Sequence, residues 1–318
     1  MDLVKICHID KQLLDEKIKN FLDQDKELNP KYRNQLSSLL FSSGKRLRPT
    51  FTVLGSYFGS ADKDEIYSLA AIFEMIHTAS LIHDDIIDKA DLRRGNKTLH
   101  IDNGVYDTII LGNYLVLLCS EYVAKYEFED YYYNFFNITD LCHSEIIQQS
   151  LLFNFKITFK EYIHKTKNKT ALLIAASLVG GAKLANVEDH ELTMLYNYGI
   201  NLGISFQIID DILDFTQDKN NLGKPNGADL INGNVTLPVI FALKNKKISP
   251  KIRKLTKGSS TTDFNKCIEL IINSNAIKKS KRVSKNYLKR AKKAIKKLKH
   301  NQKTILYDLL SELEKRTY

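Results

Sequence analysis

Residues 69–88 read LAAIFEMIHTASLIHDDIID, and their apolar spacing decides the fold class. Leu69, Ile72, Phe73, Ile76, Ala79, Ser80 and His83 recur with a 3.6-residue period, which places them on one face of a helix; a strand would alternate every second residue. Leu195, Tyr198, Leu202, Phe206, Ile209 and Leu213 repeat the pattern. Prolines stand at 30, 49, 225, 238 and 250, so residues 50–224 contain none. A strand-rich fold of that length needs many turns, which recruit proline, whereas helix interiors exclude it. The reading is an all-α, single-domain helical bundle over residues 1–318. Loops are expected at Phe58–Lys63 and Gly95–Gly104, with a polar connection at Gln217–Gly233 of a length often tied to function.

Composition removes several function classes. The 318 residues are 43% hydrophobic and 26% charged, as in an ordinary globular protein, not a disordered or disulfide-stapled one. Cys7, Cys119, Cys142 and Cys267 are far apart without a CxxC pair, which argues for a reducing compartment and against a zinc framework. Uncharged apolar runs near Ile109–Cys119 and Ala171–Ala182 fall short of the ~20 residues that span a bilayer, so no transmembrane segment is expected. Asp2, Lys5 and Asp10 stand where a signal peptide needs an apolar stretch, and a cytoplasmic location follows as the expectation. The net charge of +10 is uneven: Lys244–Lys303 carries 21 Lys or Arg against Asp263 and Glu269, which leaves the rest acidic. Within it Val283, Tyr287, Ala291, Ala294, Ile295 and Leu298 keep helical spacing, so the lysines take the opposite face. A solvated lysine face is favoured over a weak membrane-surface contact, and nucleic acid is not an expected partner because aromatic interleaving is almost absent.

The chemistry lies in two identical clusters. Asp84, Asp85 and Asp88 form one DDxxD and Asp210, Asp211 and Asp214 the other, 126 residues further on, each inside an apolar helical run. Spacings of three and four turn several carboxylates toward one point. Crowded unpaired carboxylates repel, so a cation is needed; oxygen ligands without histidine or cysteine favour a hard ion, and magnesium over caged calcium if phosphate oxygens share it. A di-iron site would want Glu-x-x-His pairs, which neither cluster has beside it. Of nine arginines, Arg46 and Arg48 in GKRLRP and Arg93 and Arg94 in DLRRG stand out in a chain with 38 lysines. The planar two-pronged guanidinium suits diphosphate oxygens.

SGKRLRP at 43–49, FEMIHTASLIHDDIIDKADLRRG at 73–95, Lys169-Thr170, and FQIIDDILDFTQDKNNLGKPNGADLINGNVTLPVI at 206–240 together resemble the trans-isoprenyl diphosphate (polyprenyl) synthases, in family order. The resemblance implies the isoprenoid synthase type I fold, a bundle around a deep central cavity and usually a homodimer. It also implies head-to-tail condensation of isopentenyl diphosphate with an allylic diphosphate, with about three magnesium ions drawing off the diphosphate. Asp84, Asp88 and Asp210 would hold the metal, and Asp85, Asp211, Asp214, Lys169 and Lys224 would complete the catalytic set. Arg93, Lys169, Thr170, Gln207 and Lys224 match positions that grip the allylic diphosphate. Gly44, Lys45, Arg48, His77 and Arg94 match those that hold isopentenyl diphosphate. The chain departs from the family at Asn113, where an aspartate is usual near the cavity, and at GNKTLH, where a proline is common before Thr98.

Product length is a steric matter. Ser80 and Ala79 lie four and five residues before Asp84, one turn deeper, and neither blocks a growing chain; Ile76 and Met75 come next. The expectation is a long-chain product, beyond C20, of the kind used for quinone side chains. The alternatives are a geranylgeranyl or farnesyl diphosphate synthase, or a non-catalytic subunit of a heteromeric prenyltransferase.

Overall fold

The computed structural model describes residue 7 and residues 9–42, 44, 46–93, 95–124, 138–216 and 226–315, and it is almost wholly helical. In chain order come α1 (Lys11–Gln24), α2 (Pro30–Phe41), α3 (Leu47–Ser56) and α4 (Lys63–Ile87). A small antiparallel hairpin follows, β1 (Leu92–Arg93) and β2 (Asn96–Lys97), pairing Arg93 with Asn96. Next are α5 (Leu99–Ala124), α6 (Ile138–Ser150) and α7 (Phe159–Thr166), then a π-helical turn (Lys167–Ala171) that leads into α8 (Leu172–Leu184). The remainder is α9 (Asp189–Thr216), α10 (Ala228–Ile231), α11 (Leu237–Ala242), α12 (Ser249–Ile252), α13 (Thr261–Ile272), α14 (Ala276–Ala294) and α15 (Lys303–Lys315). The loop predicted at Gly95–Gly104 is shorter than expected. The hairpin takes its start, and α5 is already helical at Leu99, interrupted by Gly104 at φ 79° and ψ 168°. Of the Gln217–Gly233 connection, 217–225 lie outside the described residues and the rest holds the single turn α10.

Local chemistry sets the ends of α4, the helix read first. Asp62 accepts hydrogen bonds from the N–H groups of Asp64 and Glu65, and both carboxylates sit in the first turn, where the helix dipole favours negative charge. At the other end the Asp88 N–H still donates to the Asp84 carbonyl, and Lys89, at φ 51°, turns the chain out of the helix.

The chain forms two compact units, residues 1–135 with 176–195 and residues 136–175 with 196–318. In the first, α4 is buried along most of its length, from Ile66 to Asp85. α3 and α8 touch backbone to backbone: a Cβ at Gly181 would lie 1.8 Å from the Thr52 carbonyl oxygen, so no larger residue fits. Arg46, in the left-handed region at φ 46°, is buried and paired with Glu74 at 3.0 Å and Asp15 at 3.3 Å. In the second unit the core gathers Phe155, Tyr162, Ile208, Ile212, Phe215 and Leu237. α14 buries Ala276, Ser280, Ser284, Tyr287, Leu288 and Ala291 and turns Lys278, Arg282, Lys289 and Lys293 outward, as its sequence pattern predicts.

Candidate active site

The first aspartate motif ends α4, and its three members are not equivalent. Asp84 is half-buried and Asp88 exposed, whereas Asp85 is 5% exposed and faces the hairpin. There the Arg93 Nε donates to both Asp85 oxygens at 2.7 Å, and its Nη2 lies 2.6 Å from Oδ1. A carboxylate so taken up by a guanidinium has little left for a metal, which leaves Asp84 and Asp88, one turn apart, as the outward pair. The Asp85–Arg93 pair borders a cleft of about 230 Å³ that Ser38, Ser42, Thr98 and Asp102 also line.

The other first-unit candidates gather around α3. Arg46 stands at its start without a side-chain hydrogen bond to the first turn. Gly44 is exposed just before it, and Arg48, half-buried, lies in its first turn. His77 is half-buried on α4, its carbonyl accepting from the Ser80 hydroxyl at 2.7 Å. Lys45 and Arg94 lie outside the described residues. Arg46 departs from the sequence reading: its guanidinium serves Glu74 and Asp15 instead of facing a diphosphate.

In the second unit the motif sits at the end of α9. Asp210 and Asp214 are half-buried, while Asp211 is 3% exposed. Its Oδ2 accepts from the Tyr162 hydroxyl at 2.6 Å and its Oδ1 from Gln207 Nε2 at 2.9 Å. Burial raises the Asp211 carboxyl to about 6, against the opposing pull of Gln207, Tyr162 and Lys165. Gln207 Oε1 accepts from the Thr170 hydroxyl at 2.7 Å, and Lys169 Nζ lies 2.6 Å from Glu145 Oε2. Lys169 and Thr170 both ride on the π-helical turn, whose extra residue re-aims side chains within a continuing helix. The segment after α9 returns to Asp214: the Gly227 N–H donates to its carbonyl at 2.8 Å and the Asp229 N–H to its Oδ2 at 3.3 Å. Lys224 lies outside the described residues.

Sequence reasoning passed over Tyr162 and Glu145. Lys165 is buried, and desolvation lowers its ammonium pKa despite the nearby charges of Asp211 and Asp229. Tyr162 stands seven residues before Lys169, two helical turns, and that spacing was the available signal.

The residues proposed to set product length fall on the buried part of α4. Ala79 is fully buried, Met75 and Ile76 nearly so, and Ser80 half-buried. α5 packs against this helix, with the Cys119 thiol 3.7 Å from the Ile72 carbonyl oxygen and Gly112 against the His83 ring. Asn113 is exposed, on the outer side of α5; the sequence reading placed its missing charge near the cavity. Both α4 and α5 are long and apolar enough to cross a membrane by length and composition, each at mean hydropathy 1.2, which uncharged runs alone did not disclose. The apolar window of α4 is 72% buried and that of α5 28%. On α5 Ile101, Val105, Tyr106, Ile109, Ile110 and Leu117 are exposed.

Known proteins share this fold. A family model described as Polyprenyl synthetase matches residues 29–271. The chain belongs to the polyprenyl synthetase family. It is 39% identical over 257 residues to a heptaprenyl diphosphate synthase component 2 of Bacillus subtilis (strain 168), an alignment that covers 80% of this chain and 73% of that one. The crystal structure of heptaprenyl diphosphate synthase from Staphylococcus aureus is 34% identical, with a TM-score of 0.86 over 96% of this chain and 97% of that one. A polyprenyl synthase from Caulobacter crescentus CB15, solved with calcium and isoprenyl diphosphate, is 28% identical with a TM-score of 0.86, covering 99% and 96%. The fold is therefore the all-α isoprenoid synthase type I fold and the protein a prenyltransferase, as its sequence predicts. The family is divalent-metal dependent. In each aspartate motif taken by itself, Asp84 with Asp88 and Asp210 with Asp214, the carboxylate oxygens are of the kind that would suit such an ion. Among the described residues no three His, Cys, Asp or Glu converge as a metal site, so phosphate oxygens and water would have to complete the coordination.

Proposed function

We propose that this polyprenyl synthetase condenses isopentenyl diphosphate head-to-tail onto an allylic diphosphate and repeats the step to a long-chain product, beyond C20, of quinone side-chain type. The observation that carries the length is the small size of Ala79 and Ser80, on the turn of α4 that precedes Asp84, where an aromatic residue would form a floor. In the reaction the allylic C–O bond breaks and diphosphate leaves with the electron pair. The C4-side alkene of isopentenyl diphosphate closes the new C–C bond, and the released diphosphate takes the proton that is lost. Magnesium held by Asp84, Asp88 and Asp210 would neutralise the departing charge. Lys169, Gln207, Arg93 and Lys224 would grip the allylic diphosphate. The uncapped start of α3, with Gly44, Lys45 and Arg48, and then His77 and Arg94, would hold isopentenyl diphosphate. Purified protein with magnesium, farnesyl diphosphate and excess labelled isopentenyl diphosphate tests the reading. Products longer than C20 are expected, and a single C15 or C20 product would overturn the length assignment.

The exposed apolar side of α5 supports a homodimer formed through that helix. The name of the Bacillus subtilis relative, a component 2, favours a second reading in which this helix receives a different subunit. Turnover by the chain alone, with its mass in solution, separates the two.

A further inference from the structure

We infer that Tyr162 is a positioning residue for the diphosphate-gripping turn: its hydroxyl acts through Asp211 and Gln207 on Thr170 and hence on Lys169. The inference rests on the proposed roles of Lys169 and Gln207. Tyr162 is 1% exposed, and its ring lies in the apolar core with Ala171, Ile208 and Ile212. From there its hydroxyl reaches Asp211 Oδ2 at 2.6 Å. A carboxylate only accepts, so Gln207 must present its amide nitrogen to Oδ1 at 2.9 Å and its oxygen to the Thr170 hydroxyl at 2.7 Å. Donation thus converges on Asp211 from two sides, from the Tyr162 hydroxyl on one and, on the other, from the Gln207 amide, whose oxygen accepts from Thr170. Thr170 belongs to the π-helical turn, which lacks the regular helix register that would otherwise fix it. Without the tyrosine hydroxyl, the Asp211 carboxylate can rotate, the Gln207 amide shifts with it and the turn loses its outside anchor. Nothing here requires Tyr162 to touch substrate.

Tyr162→Phe removes one oxygen and keeps the ring. Its kcat/KM for the allylic diphosphate should fall on the order of tenfold, as when groups that orient a ligating residue are lost, with KM for isopentenyl diphosphate and the melting temperature little changed. Thr170→Val should show a similar loss. In Tyr162→Phe/Thr170→Val the two losses should overlap instead of multiplying, because each breaks the same chain. Multiplying losses, or equal losses toward both substrates, would overturn the positioning role. Should Tyr162→Phe not fold, 4-aminophenylalanine at position 162, which keeps a donor for Asp211, decides: an allylic kcat/KM as low as that of Thr170→Val would overturn the inference. Lys169→Ala is the control for the underlying reading. If it leaves allylic kcat/KM intact, the site assignment fails and the inference with it; if it is impaired while Tyr162→Phe matches the wild type, only the inference fails.

Discussion

Replacing Asp85 and Asp84 in turn should separate two tasks that a DDxxD string makes look alike. Asp85 holds Arg93 through both carboxylate oxygens, so Asp85→Asn is expected to lower kcat/KM for the allylic diphosphate by ten- to a hundredfold while the magnesium needed for half-maximal rate stays put. Asp84→Asn should shift that magnesium requirement upward, and a magnesium titration of both variants checks the contrast. If Asp85→Asn moved the metal requirement as far as Asp84→Asn, Asp85 would be a ligand after all. Arg46 gives a residue-scale prediction about stability. Arg46→Met strands the Glu74 carboxylate in a buried site and should cost about 3–5 kcal/mol in urea unfolding, much of it restored by the double variant with Glu74→Leu. The sequence draws no line between Arg46 and Arg48, since both sit in GKRLRP; only the left-handed backbone at Arg46 turns its side chain to Glu74.

Elements, more than single residues, were legible from the chain. The period of Leu69 to His83 yields α4, and that of Leu195 to Leu213 yields α9, because a buried helix face must repeat every 3.6 residues. The π-helical turn at Lys167–Ala171 leaves no such trace, since one extra residue in a turn changes hydrogen bonding without changing which residue types suit it. The hairpin at Leu92–Lys97 escaped for a related reason: two-residue strands are too short to show alternation. The α3–α8 contact makes a sharp prediction. Gly181→Val drives a branched side chain into the Thr52 carbonyl and should destabilise the protein by about 3 kcal/mol, read as a lowered melting temperature. On α4, Ala79→Phe should shorten the product without abolishing turnover, and an unchanged length would mean the growing chain runs elsewhere.

For the molecule as a whole, a chelator should abolish turnover and magnesium should restore it, with the helical circular dichroism unchanged throughout, since the helices are held by buried apolar side chains. The outer side of α5 was the least legible large feature. Its residues are as apolar as those of a core helix, and sequence cannot tell a side covered by the chain's own elements from one that is not. Charge placed there by Ile110→Glu with Leu117→Glu should lower the mass in solution to that of one chain, measured by light scattering.

That same side of α5 joins supply to fate. If that side receives another subunit, as proposed, a newly made copy would carry uncovered aliphatic and tyrosine side chains until that subunit arrives, and such surfaces are what proteases and chaperones seize. Were that subunit a different chain, orphans made in surplus would be cleared first, and the amount of working synthase would track the scarcer of the two.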